Sequence, residues 1–246
     1  MDAEPAAPLR AALPLLALDA GLAAAFDRLW HPHDPVVAVL GHLAWYAVRF
    51  GAVLGGLALL TRRPLAPQFA FDRARLAADL AWGLRCVTLG ACAFTALAAG
   101  AVLGAAAGLW HLPAPDPETT GYLAYLWGGE HAAFLVLMLL LSVVAAPLVE
   151  ETAWRGLLLP ALLARLAPAP AVLLSAALFA WLHVGPYGQG GWGLTQGFGA
   201  LLIGAVFWWR RSLVVAMLGH AAGNLWLELA GPLWVALWQA RPAWFS

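Results

Sequence analysis

Six polar residues interrupt stretches that are otherwise apolar, and their types are those of hydrolytic chemistry. Glu150, Glu151 and Arg155 follow one apolar run, His183 closes a second, and His220 and Asn224 lie inside a third. Residues four apart share a helix face, so Glu151 and Arg155 can pair and His220 and Asn224 project the same way. Phe179 and His183 repeat that spacing. Glu150 is turned about 100° from Glu151, the angular step of a helix with 3.6 residues per turn, so it escapes the arginine. A carboxylate left in this way can act as general base toward water. Amide hydrolysis also needs donors for an oxyanion, and His220 and Asn224 can supply them. Two histidines and one glutamate can alternatively hold zinc with its fourth position open. The cofactor is therefore either none or zinc, with His183, His220 and Glu150 as the ligands in the second case.

Other nucleophiles are not signalled. No serine or cysteine sits in a GxSxG turn, which would mark a nucleophile elbow, and the HExxH pattern of zinc proteases is missing. Cys86 and Cys92 share one apolar segment without CxxC spacing and read as small core residues. His42 and Arg49 also interrupt an apolar run. They read as structural, with Arg49 reaching an interface or a carboxylate. A lone membrane histidine or asparagine often does no more than bond between helices. Its joint occurrence with an acidic pair, on three separate helices, argues for a site.

The elements that must position these residues are membrane helices. The chain has 246 residues, 63% hydrophobic and 11% charged, with mean hydropathy +0.79. An average soluble domain is about 45–50% apolar and about 25% charged. A soluble fold of this size cannot hide so much apolar surface, whereas lipid accepts it. The expected fold class is all-α, a polytopic transmembrane helix bundle of about six to eight spans of about 20 residues each. The 14 tryptophans suit membrane interfaces. Net charge is zero, which gives no reason to expect nucleic acid. The acidic start, residues 1–8, argues against a signal peptide.

Residues 36–60, 86–110, 134–149, 171–184, 194–209 and 213–229 read as apolar helices. Residues 9–30, broken by Pro14, Asp19 and Asp27, are either a short span or an interfacial helix. Residues 61–85, with five arginines, read as a loop plus an amphipathic helix on the membrane surface. Residues 231–244 read as a final short or re-entrant helix. The arginines at 62–85, 155–165 and 210–211 should be cytoplasmic, and the Arg-free loops near Pro113 and Gly185 should face out. One membrane domain, 1–246, is expected, with N-terminal helices and the amphipathic segment in 1–130 and the motif-bearing helices in 131–230. The expected location is a bacterial cytoplasmic membrane.

Three motifs in order then resemble a known family. Glu150-Glu151-Thr152-Ala153-Trp154-Arg155 matches EExxxR, Phe179-Ala180-Trp181-Leu182-His183 matches FxxxH, and His220-Ala221-Ala222-Gly223-Asn224 matches HxxxN. These are the motifs of the CAAX protease and bacteriocin-processing (CPBP, or Abi) family of intramembrane proteases. The resemblance covers the C-terminal half. It implies a helical bundle with a polar cavity and peptide-bond hydrolysis at the membrane. By residue it implies Glu150 as base, Glu151 and Arg155 as supporting pair, His183 as a water-orienting or metal-binding group, and His220 and Asn224 as water or oxyanion binders. The implied partners are membrane lipid and a peptide or membrane-anchored protein substrate. Two other functions compete: a non-catalytic immunity or scaffold protein, and a small transporter. An inverted repeat would favour transport, and the motif-bearing half has no counterpart in the first half.

Overall fold

The computed structural model describes residues 9–30, 34–61, 73–112, 114, 132–184 and 192–245. Among them there is no strand, and one isolated bridge joins Leu112 to Phe245. The expected surface loop at 62–72, most of the loop before residue 132, the glycine-rich loop at 185–191 and the acidic start lie outside the described residues.

Seven helical segments carry the described fold. Helix α1 is Leu9–Leu29 and α2 is Pro35–Thr61. Helix α2 starts where Asp34 Oδ1 accepts the N–H groups of Val36 (2.8 Å) and Val37 (3.0 Å), with Pro35 first in the helix. That arrangement satisfies free N-terminal donors and places a proline where its missing N–H does no harm. A 3-10 turn, Arg73–Arg75, leads into α3, Leu76–Ala106. Helix α3 stops at Gly108, whose φ of +71° is a left-handed conformation that glycine adopts without a Cβ clash. Gly108 N–H bonds Ala105 O and Leu109 N–H bonds Gly104 O, closing the last turn.

Helix α4 runs over residues 132–163 with two π-helical stretches. It comprises Ala132–Leu139, a π stretch Leu140–Ala145, then Ala146–Ala153, a second π stretch Trp154–Leu158, and Leu159–Leu163. Helix α5 is Pro168–Val184, α6 is Trp192–Arg210 and α7 is Leu213–Ala240. Four of these segments are long and apolar enough to cross a membrane: Val36–Gly56, Leu76–Ala106, Ala133–Leu163 and Leu213–Ala240. The chain is thus an all-α polytopic bundle.

Helix α4 is the centre. Every residue from 149 to 159 is buried, which an edge helix in lipid would not show. The main core joins Leu158 and Leu159 of α4 to Ala176 and Phe179 of α5, Ala200 and Phe207 of α6, and Ala216 of α7. A Cβ on Gly197 would stand 2.6 Å from that of Ala180, so glycine permits the close approach of α5 and α6. Helix α1 is packed into the bundle, its Ala12 and Leu15 against Val53, Leu157 and Ala161. It does not lie apart as an interfacial helix.

Three expectations change. The segment 76–85 is not a separate surface helix but the first turns of α3. Its charges are answered in place: Asp79 pairs with Arg210 at 3.4 Å, and Arg85 and Arg210 lie 5.4 and 5.1 Å from the Trp82 ring. Residues 213–240 form one helix through Gly231-Pro232 instead of a span and a re-entrant piece. After it a 3-10 turn, Pro242–Trp244, brings Trp244 O to Leu112 N–H at 2.7 Å. Arg155 is 1% exposed and pairs internally, so it is not a marker of the cytoplasmic face. Arg165 and Arg211 are exposed and keep that role.

The Asp79–Arg210 pair joins the start of α3 to the end of α6, and the Leu112–Phe245 bridge joins the end of α3 to the end of α7. Both agree with alternating helices. In a variant whose own two cysteines are replaced by alanine, cysteines at Ala164 and Arg211 should label from the cytoplasmic side with an impermeant thiol reagent. Cysteines at Leu109 and Ala240 should label from the other side. Labelling of all four from one side would break this topology.

Arg49 Nε and Nη2 donate to the two oxygens of Asp19 at 2.7 and 2.8 Å, and both residues are buried. Removing one member of such a pair strands the other charge, at about 3–5 kcal/mol. Arg49→Met should therefore lower the thermal midpoint in detergent clearly. The double variant Arg49→Met/Asp19→Leu should recover much of that loss, and equal losses in the single and double variants would contradict the pairing.

Candidate active site

The six sequence candidates meet where α4, α5 and α7 face one another. On α4, Arg155 Nη1 donates to Glu151 Oε1 at 2.9 Å, as the four-residue spacing predicts. Arg155 Nη2 donates to the Ala200 carbonyl of α6 at 2.8 Å, and its guanidinium lies 5.4 Å from the Phe179 ring centre. Glu151 is 0% exposed. A buried charge needs a partner and hydrogen bonds, and Arg155 supplies both while tying α4 to α6.

The histidines are oriented through their Nδ1 atoms. His220 Nδ1 lies 2.7 Å from Glu151 Oε1, and His183 Nδ1 lies 2.8 Å from the Phe179 carbonyl. A carboxylate or carbonyl oxygen only accepts, so both Nδ1 atoms carry the hydrogen. In the neutral rings both Nε2 atoms are then acceptors. Phe179 stacks on His183, ring centres 4.1 Å apart, and stands edge-on to His220 at 6.3 Å. The phenylalanine of FxxxH thus supports both imidazoles.

Glu150 takes the other face of α4. Its Oε1 accepts from the Tyr46 hydroxyl at 3.1 Å. Its Oε2 faces His183 Nε2 at 3.8 Å and His220 Nε2 at 3.9 Å. Those distances exceed hydrogen-bond reach. With both rings neutral, three acceptor atoms converge here, and a group bringing hydrogens or positive charge would suit them.

Asn224 Nδ2 donates to the Ser142 carbonyl at 2.7 Å. That carbonyl is available for a local reason. Ala146 N–H bonds Leu141 O, five residues back. The next bond of that series would run from residue 147 to Ser142 O, but residue 147 is proline and has no N–H. The asparagine takes the vacancy and leaves its second amide N–H for the cavity.

A cavity of about 270 Å³ lies over these groups, lined by His42, Tyr46, Ser142, Glu150, His183, Gln196, His220, Asn224 and Glu228 among others. A second, apolar crevice of about 440 Å³ runs between α3, α6 and α7, from Cys86 and Leu89 past Leu202 and Val206 to Phe179 and His220. Tyr46, Ser142, Gln196 and Glu228 line the cavity without having stood among the sequence candidates. Glu228 had a readable signal, since His220, Asn224 and Glu228 are spaced by four on one face. Tyr46 had none, because an aromatic in an apolar helix is ordinary.

The donor types of Glu150, His183 and His220 suit zinc, and the Nδ1 bonds resemble the outer-sphere bonds of metal-ligating histidines. The spacing is less suited. Ligands at about 2.0–2.2 Å in a tetrahedron stand about 3.4 Å from each other, against 3.8 and 3.9 Å here. Among the described residues no three His, Cys, Asp or Glu side chains stand close enough to hold a metal as placed.

Residues 131–226 match the family model of Rce1-like proteins, the Type II CAAX prenyl endopeptidases. The matched segment carries all six candidates and agrees with the resemblance drawn from the three motifs. It leaves out α1, α2 and α3, and with them Tyr46. No curated protein and no solved structure matches the chain.

Glu151→Gln should destabilise the protein, because buried Arg155 would keep its charge and lose the carboxylate it pairs with. The expected loss is about 3–5 kcal/mol, read as a fall in the detergent unfolding midpoint. A midpoint within about 1 °C of wild type would contradict the structural role given to this carboxylate.

Proposed function

We propose that the chain is an intramembrane endopeptidase that hydrolyses a peptide bond of a membrane-associated substrate, with Glu150 activating water. The observation that carries this reading is the convergence of Glu150 Oε2, His183 Nε2 and His220 Nε2 at 3.8 and 3.9 Å beneath a polar cavity inside an apolar bundle. A water molecule supplies two hydrogens to such a set and keeps a lone pair for attack. The match of residues 131–226 to a family of prenyl endopeptidases supports the same class.

In the proposed reaction the water oxygen bonds to the scissile carbonyl carbon as a proton passes to Glu150 or through it to a neighbouring imidazole. The carbonyl π electrons move to oxygen, giving a tetrahedral oxyanion. Asn224, held by Ser142, offers its second N–H to that oxyanion. His220 can donate from Nε2 only as imidazolium, since Nδ1 is committed to Glu151. Its donor role therefore begins after it receives the proton. The C–N bond then breaks and the proton leaves with the amine. Atoms and charge balance without a covalent enzyme intermediate.

The apolar crevice beside His220 and Asn224 favours a substrate carrying an apolar chain, such as a lipidated tail. Zinc held by Glu150, His183 and His220 is the competing form of the same site. It would polarise the carbonyl or the water.

The test uses a quenched fluorescent peptide ending in a prenylated Cys-aliphatic-aliphatic-X sequence, with purified protein in detergent micelles. Glu150→Gln should remain folded and lose about 100- to 10,000-fold in turnover, the usual contribution of a general base. Activity should survive chelation. Full activity of Glu150→Gln would sink the proposal. Loss on chelation with recovery on adding Zn²⁺ would replace the metal-free form by the zinc form. Cleavage by wild type together with inactivity of the glutamine variant would also set aside the scaffold and transporter readings.

A further inference from the structure

Helices α1 and α2 lie outside the matched segment, yet one of their side chains lines the cavity. Tyr46 of α2 donates its hydroxyl to Glu150 Oε1 at 3.1 Å. The other carboxylate oxygen, Oε2, is the one that faces both histidines. Behind Tyr46, the Arg49 guanidinium carbon lies 4.8 Å from the centre of its ring. Arg49 is itself fixed by the two-pronged bond to Asp19 of α1. A series thus runs Asp19, Arg49, Tyr46, Glu150 across three helices, buried at Asp19, Arg49 and Glu150 and ending on the proposed base.

We infer that Tyr46 is a positioning residue for Glu150, and that α1 and α2 complete the active site by holding it. The inference rests on the reading of Glu150 as the base. Its physical content is a choice between two oxygens. A carboxylate free to turn about its last bond presents either oxygen to the imidazoles. The tyrosine hydroxyl occupies Oε1 and leaves Oε2, the atom nearest both Nε2 groups, for the water. Pre-orientation of this kind lowers the reorganisation needed in the transition state.

The placement of Arg49 fits this role. A guanidinium over an aromatic face is attracted by the ring, and its two bonds to Asp19 prevent it from moving away. The tyrosine ring is therefore held from one side by the Arg49 guanidinium while its hydroxyl is held by Glu150. A tyrosine present only to fill space would need neither contact.

The experiment compares wild type, Tyr46→Phe and Glu150→Gln, each full length in micelles, with the prenylated quenched peptide as probe. Tyr46→Phe keeps the ring and the Arg49 contact and removes only the hydroxyl. A hydrogen bond to a charged group has a typical strength equivalent to about tenfold to a hundredfold in a rate. The variant should lose that factor in kcat, with KM within about twofold and an unchanged unfolding midpoint. A second arm needs no turnover. The Glu150 carboxylate stretch, isolated as the infrared difference between wild type and Glu150→Gln, should shift in Tyr46→Phe. Wild-type kcat in Tyr46→Phe, or a fall confined to KM, would overturn the inference, as would an unmoved Glu150 band. If wild type fails to cleave the peptide, or Glu150→Gln still cleaves it, the proteolytic reading falls. The infrared arm then decides the Tyr46 contact alone: a shift sustains it and no shift rejects it.

Discussion

Two adjacent carboxylates deep in an apolar bundle are the constraint from which the rest of the structure follows. Each would be prohibitively costly to bury alone. Adjacent positions on a helix point about 100° apart, so the two carboxylates meet different sets of neighbours, with His220 turned toward both by its two ring nitrogens. Glu151 receives Arg155 and His220 Nδ1 and becomes part of a fixed strut between α4, α6 and α7. Glu150 receives one hydroxyl and otherwise faces two imidazole acceptors. The first carboxylate takes both of its partners on Oε1, and its Oε2 is buried without a hydrogen bond. The second has Oε1 bonded by Tyr46 and turns Oε2 to the two imidazoles. Division of labour between the two thus comes from geometry before any reaction is invoked.

The helix that bears them is irregular for a related reason. Glu150 and Glu151 lie in the α-helical turns between two π stretches of α4. A π stretch changes the register of the backbone bonds and often accompanies a functional site. Here each stretch is followed within a few residues by a proline, Pro147 after the first and Pro160 after the second. Prolines remove donors, and one resulting orphan carbonyl, that of Ser142, anchors Asn224 of α7. Local chain chemistry on α4 therefore sets a side chain on another helix. The same logic explains Phe179, one ring of which backs His183, His220 and the Arg155 guanidinium together.

Much of this could be read from the sequence. The apolar composition required membrane helices, and the four-residue spacings of Glu151 with Arg155 and of His220 with Asn224 gave shared faces that the structure contains. Two kinds of feature were not legible. The first is register between helices: nothing in the sequence near Tyr46 says that its hydroxyl meets a carboxylate 104 positions away. The second is continuity. Residues 76–85 read as part of a surface segment and Gly231-Pro232 as a break, yet α3 and α7 run through both. Charges near a helix end can be answered by neighbours such as Trp82 and Asp79, and one proline costs a helix a single backbone bond when packing holds it. Arg155 misled the topology rule because an arginine paired inside the bundle carries no information about sides.

The proposed chemistry depends on what sits between Glu150 Oε2 and the two Nε2 atoms. Crystallographic diffraction from the purified protein, with data collected on both sides of the zinc absorption edge, observes that position directly. A metal-free site should show a density feature about 2.7–3.0 Å, a hydrogen-bond distance, from Glu150 Oε2 and from at least one of the two Nε2 atoms, without an anomalous signal at the edge. A feature about 2.0–2.2 Å from all three with a strong zinc signal would contradict it, and so would side chains packed closed with no room for water between them.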